Sequence, residues 1–206
     1  VGLYATTVVI PLPRPTDDVD CIIDLASYAQ FAELEERLRQ RGFQHDYESG
    51  IQIRWRWHDA EQDETYIIDV MPADGGSILG SMANQWYKSG LQSVVRYLLP
   101  PDGPEINLLD APHFIATKLT AMHDRATDMR WSQDWEDIVY VLESRDELLP
   151  EIAAASGELR AFVAASFAEL MADASINEWL EAVRDPDGSF NELWRRCQEL
   201  ATAGPE

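Results

Sequence analysis

The chain has 206 residues of ordinary apolar content, enough to bury a core as one domain or two small ones. It carries 37 acidic against 16 basic side chains, net −21, so it lacks the overall basic footprint typical of nucleic-acid binders. No apolar run approaches the roughly 18 residues of a membrane span, no signal peptide is visible, and Cys21 and Cys197 give neither a disulfide framework nor a metal spacing. A reduced, cytoplasmic setting without a membrane is expected.

Val1 is not a plausible native start, so further residues are expected upstream of it. Thr6-Thr7-Val8-Val9-Ile10 is β-branched throughout and reads locally as strand. Pro11, Pro13 and Pro15 then impose an extended approach to Asp18. Residues 18–25 read as a buried strand. Alternation places Asp18 and Asp20 on one face and Asp17 on the other. Two carboxylates so close resist ionising together unless a cation lies between them. Mg²⁺ is a hard ion that takes one or two carboxylates plus substrate phosphates, so the pair points to metal-assisted phosphoryl chemistry. The plainer reading is a polar turn entering a strand.

Tyr28 to Arg41 reads as a helix with Phe31, Leu34 and Leu38 on one face and Gly42 closing it. Residues 43–47 and 51–58 read as a hairpin about Glu48-Ser49-Gly50. The second strand alternates, with Ile51, Ile53, Trp55 and Trp57 inward. Residues 65–70 form the next strand, carrying Asp69. Residues 71–90 read as a long glycine-rich loop that includes Ser77 and Ser81, with no adjacent acid–base pair to make either a nucleophile. Short strands follow at 94–98 and 105–109, with a turn at Pro100-Pro101-Asp102-Gly103. Asp110 can cap a helix whose first turn holds Pro112. Further helices fit residues 133–144, 146–155, 157–172, 175–184 and 189–202. His45, His58, His113 and His123 have no convergent spacing, which argues against zinc. Only Arg37-Leu38-Arg39-Gln40-Arg41 and Arg54-Trp55-Arg56 are locally basic; both read most simply as solvated faces.

Gly2, then Arg14-x-Thr16-x-Asp18-x-Asp20, then an apolar strand resembles the minimal nucleotidyltransferases of the AbiEii/MenT type, toxins of bacterial toxin–antitoxin pairs. The resemblance runs to about Leu142. It implies a short helix over residues 3–10, against the local strand reading. It implies an α/β (α+β) fold: a small nucleotidyltransferase core with a mixed sheet over residues 1–110, then a helical region over 111–206. Asp18 and Asp20 would be ligands of Mg²⁺, one ion or two. Asp69 would be a third carboxylate, as ligand or as base on the acceptor hydroxyl. Gly2 stands where the family's phosphate-cradling turn has two small residues, and this chain has Val1-Gly2 there. Arg14 and Thr16 would support nucleotide or turn. Lys118 would meet the β- and γ-phosphates of an NTP, and Asp137, more than Asp134, would hold Lys118 or help place the acceptor. Ser77 is a further candidate, since a serine takes up the nucleotide in some members. The acceptor implied is a tRNA end and the partner implied is a cognate antitoxin. Two rivals stay open. One keeps the chemistry with a protein or small-molecule acceptor; the other is a non-catalytic binding protein that retains the fold.

Overall fold

The computed structural model describes residues 1–7, 13–16, 18–25, 27–47, 53–61, 63–73, 84–125 and 128–204. Asp17, Ser77, Ser81 and the turn at Glu48-Ser49-Gly50 lie outside the described residues. The chain divides into two compact units, one of residues 14–92 and one of residues 1–13 with 93–206.

The unit of residues 14–92 is built on a mixed four-stranded sheet. Its strands are β1 (Asp18–Ile23), β2 (Gln44–His45), β3 (Arg54–Asp59) and β4 (Glu64–Pro72), in the order β1-β4-β3-β2. β1 pairs parallel with β4, whereas β4–β3 and β3–β2 are antiparallel. Period-two alternation sorts the faces. Trp55 is fully buried and Ile53 and Val70 nearly so, while Arg54 and Asp69 take the opposite face. Trp57, the next inward position, is half-buried.

Helix α1 (Tyr28–Gln40) connects β1 to β2. Ser27 caps it, its hydroxyl accepting from Gln30 N at 3.3 Å. Its C-terminus closes at Gly42, whose φ of +88° is the left-handed conformation such an end requires. Gly42 N donates to Arg39 O and Phe43 N to Leu38 O, both at 3.0 Å. Phe31, Leu34 and Leu38 are only half-buried. A single helical turn, α2 (Tyr87–Gly90), lies in the stretch that reads as loop from sequence.

The second unit holds the two-stranded ribbon β5 (Val95–Leu98) and β6 (Glu105–Leu108), followed by helices. These are α3 (Ala111–Arg125), α4 (Gln133–Ser144), α5 (Leu148–Ala154), α6 (Gly157–Ala172), α7 (Ile176–Val183) and α8 (Phe190–Thr202). Asp110 caps α3 by accepting from His113 N at 2.9 Å. Ser132, Ser156 and Ser189 cap α4, α6 and α8 in the same way. The core runs through Ile115, Leu119, Trp135, Ile138, Leu142 and Phe167, all nearly or fully buried. Arg196 is buried on α8 and caps the C-terminus of α4. Its guanidinium donates to Leu142 O, to Arg145 O at 2.9 Å and to Asp146 O at 3.2 Å.

Of the helix expected over residues 3–10, the described residues instead form a 3-10 turn at Gly2–Tyr4 that ends in extended backbone at Ala5. Thr6 N and Thr7 N each donate to Ser144 O at 2.8 Å, bonds that satisfy the backbone without a helix. Tyr4 stacks on Phe114 with ring centroids 4.2 Å apart, which fixes the turn on α3. No helix among the described residues is long and apolar enough to cross a membrane.

Candidate active site

The sheet register sets the first cluster. Asp20 stands beside Asp69 in the parallel pair, and Arg54 stands beside Asp69 in the antiparallel pair. Side chains at one register position share a face, so Asp20, Asp69 and Arg54 form a row across three strands, and Asp18 joins it two residues along β1. Thr16 Oγ1 lies 2.9 Å from Asp18 Oδ1 and 3.0 Å from Asp18 O, so its single proton holds the carboxylate or the main chain at the strand entrance.

Arg54 is the residue that sequence reasoning missed. Its Nε donates to Asp69 Oδ1 at 2.8 Å and its Nη2 to Asp69 Oδ2 at 2.6 Å, a bidentate fork, and Nη2 also reaches Asp18 Oδ2 at 3.5 Å. Asp18 and Asp69 therefore converge on one nitrogen. Asp69 is buried while Asp18 is half-exposed. The hydrogen bond to Asp69, outweighing the burial that opposes it, drives the Arg54 pKa above its usual value, with Asp18 and Asp46 adding to the effect. The sequence showed both strands, but the register that sets Arg54 beside Asp69 comes from the structure.

The second cluster lies in the helical unit. Asp134 and Asp137 are three residues apart in the first turns of α4 and so share a face. Lys118 of α3 reaches Asp137 Oδ2 at 2.6 Å and Asp134 Oδ1 at 3.3 Å, with its ammonium 5.6 Å from the Phe114 ring centroid. Arg125 Nη1 holds the other oxygen of Asp134 at 2.7 Å. Both carboxylates are buried and Lys118 is half-buried. Burial alone would lower the Lys118 pKa. The two carboxylates, Asp137 ahead of Asp134, more than reverse it, and the pKa is raised.

Gly2 opens the 3-10 turn, and a Cβ there would meet Pro13 Cγ at 3.2 Å, so close packing alone accounts for a glycine. Arg14 is half-buried in the sheet-bearing unit.

A family model described as nucleotidyl transferase AbiEii toxin, type IV toxin–antitoxin system, matches residues 83–203, more than half of the chain. The chain belongs to the AbiEii family. No curated protein and no solved structure matches it significantly. As an AbiEii nucleotidyl transferase, the protein carries Lys118, Asp134 and Asp137 inside the matched stretch. Asp18, Asp20, Asp69 and Arg54 lie before it.

The donor set bears on the divalent cation that nucleotidyl transfer generally uses. Asp18 and Asp20 offer the hard oxygens such an ion takes. Both oxygens of Asp69 are engaged by Arg54. Accordingly, no group of three His, Cys, Asp or Glu among the described residues is disposed to hold a metal.

Proposed function

We propose that this AbiEii nucleotidyl transferase moves the nucleoside monophosphate of an NTP onto a tRNA end in a Mg²⁺-dependent reaction, as a toxin restrained by a cognate antitoxin. The observation that carries the reading is the shared face of Asp18, Asp20 and Asp69 behind the Arg14-x-Thr16 entrance. In this reading Asp18 and Asp20 are the ligands of the cation. When bound, that ion would neutralise charge developing on the transferring phosphoryl group. Thr16 keeps the Asp18 carboxylate in the ligating orientation. Arg14 faces a phosphate or a neighbouring acid. Lys118 supplies positive charge to the β- and γ-phosphates, and Asp137 orients its ammonium. Gly2 allows the chain's first turn to come close to Pro13, and its turn is where the phosphate-cradling amides of the family would stand.

A protein or small-molecule acceptor is the second reading. It is favoured by the state of the two locally basic stretches. Arg37 and Arg39 pair with Glu33 and Glu35, Arg54 with Asp69, and Arg56 with Asp46. Arg54 and Arg56 are thereby engaged with buried acids, whereas the α1 pairs are solvent-exposed and weak. Incubation with each labelled NTP, Mg²⁺ and either total RNA or lysate protein separates the readings by where label appears. The AbiEii reaction as proposed requires label in small RNA that disappears in Asp18→Asn. Label in no fraction, or label indifferent to Asp18→Asn, would defeat it.

A further inference from the structure

We propose that Phe114 is a positioning residue of the nucleotide site: its ring, backed by Tyr4, holds the Lys118 ammonium in place for the phosphates of the NTP. This rests on the phosphate role given to Lys118 above and adds the group through which that role is set.

Phe114 and Lys118 stand four residues apart on α3, so they share a face, and the lysine stem leans back toward the ring one turn before it. The ammonium sits 5.6 Å from the ring centroid, inside the range of cation–π attraction. It carries three N–H donors. Asp137 at 2.6 Å and Asp134 at 3.3 Å take one each. A third carboxylate would take the remaining donor. An aromatic face attracts the charge without being a strong acceptor, and so leaves that donor to a phosphate oxygen.

The ring itself is held. Tyr4 stacks on it with centroids 4.2 Å apart and planes 29° from parallel. Tyr4 is buried, and its main chain is tied down on both sides: Tyr4 N donates to Val1 O at 3.0 Å, and Tyr4 O accepts from Arg145 Nη1 at 2.9 Å. Arg145 in turn forks onto Glu151 of α5 at 2.7 and 2.6 Å. A line of contacts thus runs from α5 through Arg145, Tyr4 and Phe114 to Lys118, all within the helix-bearing unit. Leucine at position 114 would fill much of the same space but has no ring face to attract the ammonium, which separates positioning from packing.

The test is a calorimetric titration of the full chain with inorganic tripolyphosphate in Mg²⁺, which reports the phosphate site without base or acceptor. Phe114→Leu should weaken binding about three- to fivefold, the worth of a partly exposed cation–π contact, while Phe114→Tyr, which keeps the ring face, stays within about twofold of wild type. In a Lys118→Ala background Phe114→Leu should cost nothing further, because the ring acts only through the ammonium; a packing role would give the same loss in both backgrounds. Tyr4→Leu, by loosening the ring, should follow the same pattern, and it decides where Phe114→Leu fails to fold. Where Lys118→Ala binds too weakly to measure, the comparison of Phe114→Tyr with Phe114→Leu decides. Unchanged affinity in Phe114→Leu, equal affinities of the two Phe114 variants, or an equal loss in both backgrounds would overturn the proposal while leaving Lys118 at the phosphates. Unchanged affinity in Lys118→Ala, or no binding by wild type, would overturn both.

Discussion

Replacing Lys118 by methionine keeps the length of the stem and removes the ammonium from between Asp137 and Asp134. The side chain is 21% exposed and its carboxylate partners 7% and 5%. Removing one member of a buried ion pair costs about 3–5 kcal/mol. The partial solvent access of Lys118 and the continued hold of Arg125 on Asp134 reduce that to about 2–3 kcal/mol. For a chain of this size the melting temperature should fall by about 5–10 °C. The pH dependence follows from the raised pKa of Lys118. A group whose folded-state pKa is raised contributes fully below its unfolded value, about 10.4 for lysine, and loses that contribution as pH rises through the folded value. The gap between wild type and Lys118→Met should therefore hold steady from neutral pH to about pH 10 and close above it. Urea melts across that range measure it, and the same substitution in an Asp137→Asn background should cost less. A neutral-pH difference below about 0.5 kcal/mol, the level of an ordinary surface change, or a gap that widens with pH would refute the account.

Three further outcomes are expected. Gly42→Ala places a side chain at φ +88° with its Cβ 3.3 Å from Trp57 Nε1 and should cost about 1–2 kcal/mol in thermal melts; an unchanged melt would remove the left-handed cap. Arg196→Met leaves the carbonyls of Leu142, Arg145 and Asp146 without their charged donor and should cost about 2–4 kcal/mol; a neutral result would mean that water replaces the guanidinium. Lys118→Ala should weaken NTP binding in Mg²⁺ more than Lys88→Ala, which alters an exposed side chain on the single turn of α2. Equal affinity of wild type and Lys118→Ala would take Lys118 out of nucleotide binding.

Helices 133–144 and 157–172 were legible to the residue because Ser132 and Ser156 advertise their caps in the sequence. β3 and β4 were legible because alternation separates Trp55 and Val70 from Arg54 and Asp69, whereas β1, read as a buried strand, is a strand with no buried residue and with Val19 exposed. The described part of the 3–10 segment was not legible, since Thr6 and Thr7 bond to the Ser144 carbonyl, distant in sequence. The Tyr87–Gly90 turn is too short to give a periodic signal. In the acidic face, the residues were visible one strand at a time, but the claim of Arg54 on Asp69 depends on cross-strand register, which composition and spacing within a strand do not report.

The pairing of β1 with β4 has a kinetic consequence. Arg54 and Asp69 are joined by a local hairpin and can meet early, whereas Asp18 and Asp20 must arrive from far along the chain, after α1 and β2. Closing long loops is the slow part of folding. β1 therefore docks two carboxylates against a third that its neighbour has already neutralised. Without Arg54 the last strand would assemble against bare like charge, and Arg54→Gln should slow refolding more than it speeds unfolding, a ratio measurable by stopped-flow mixing; the reverse partition would mean that Arg54 takes hold only after β1 is in place. An arginine two strands away from the Asp-x-Asp motif would then set the rate at which the motif's face comes into being.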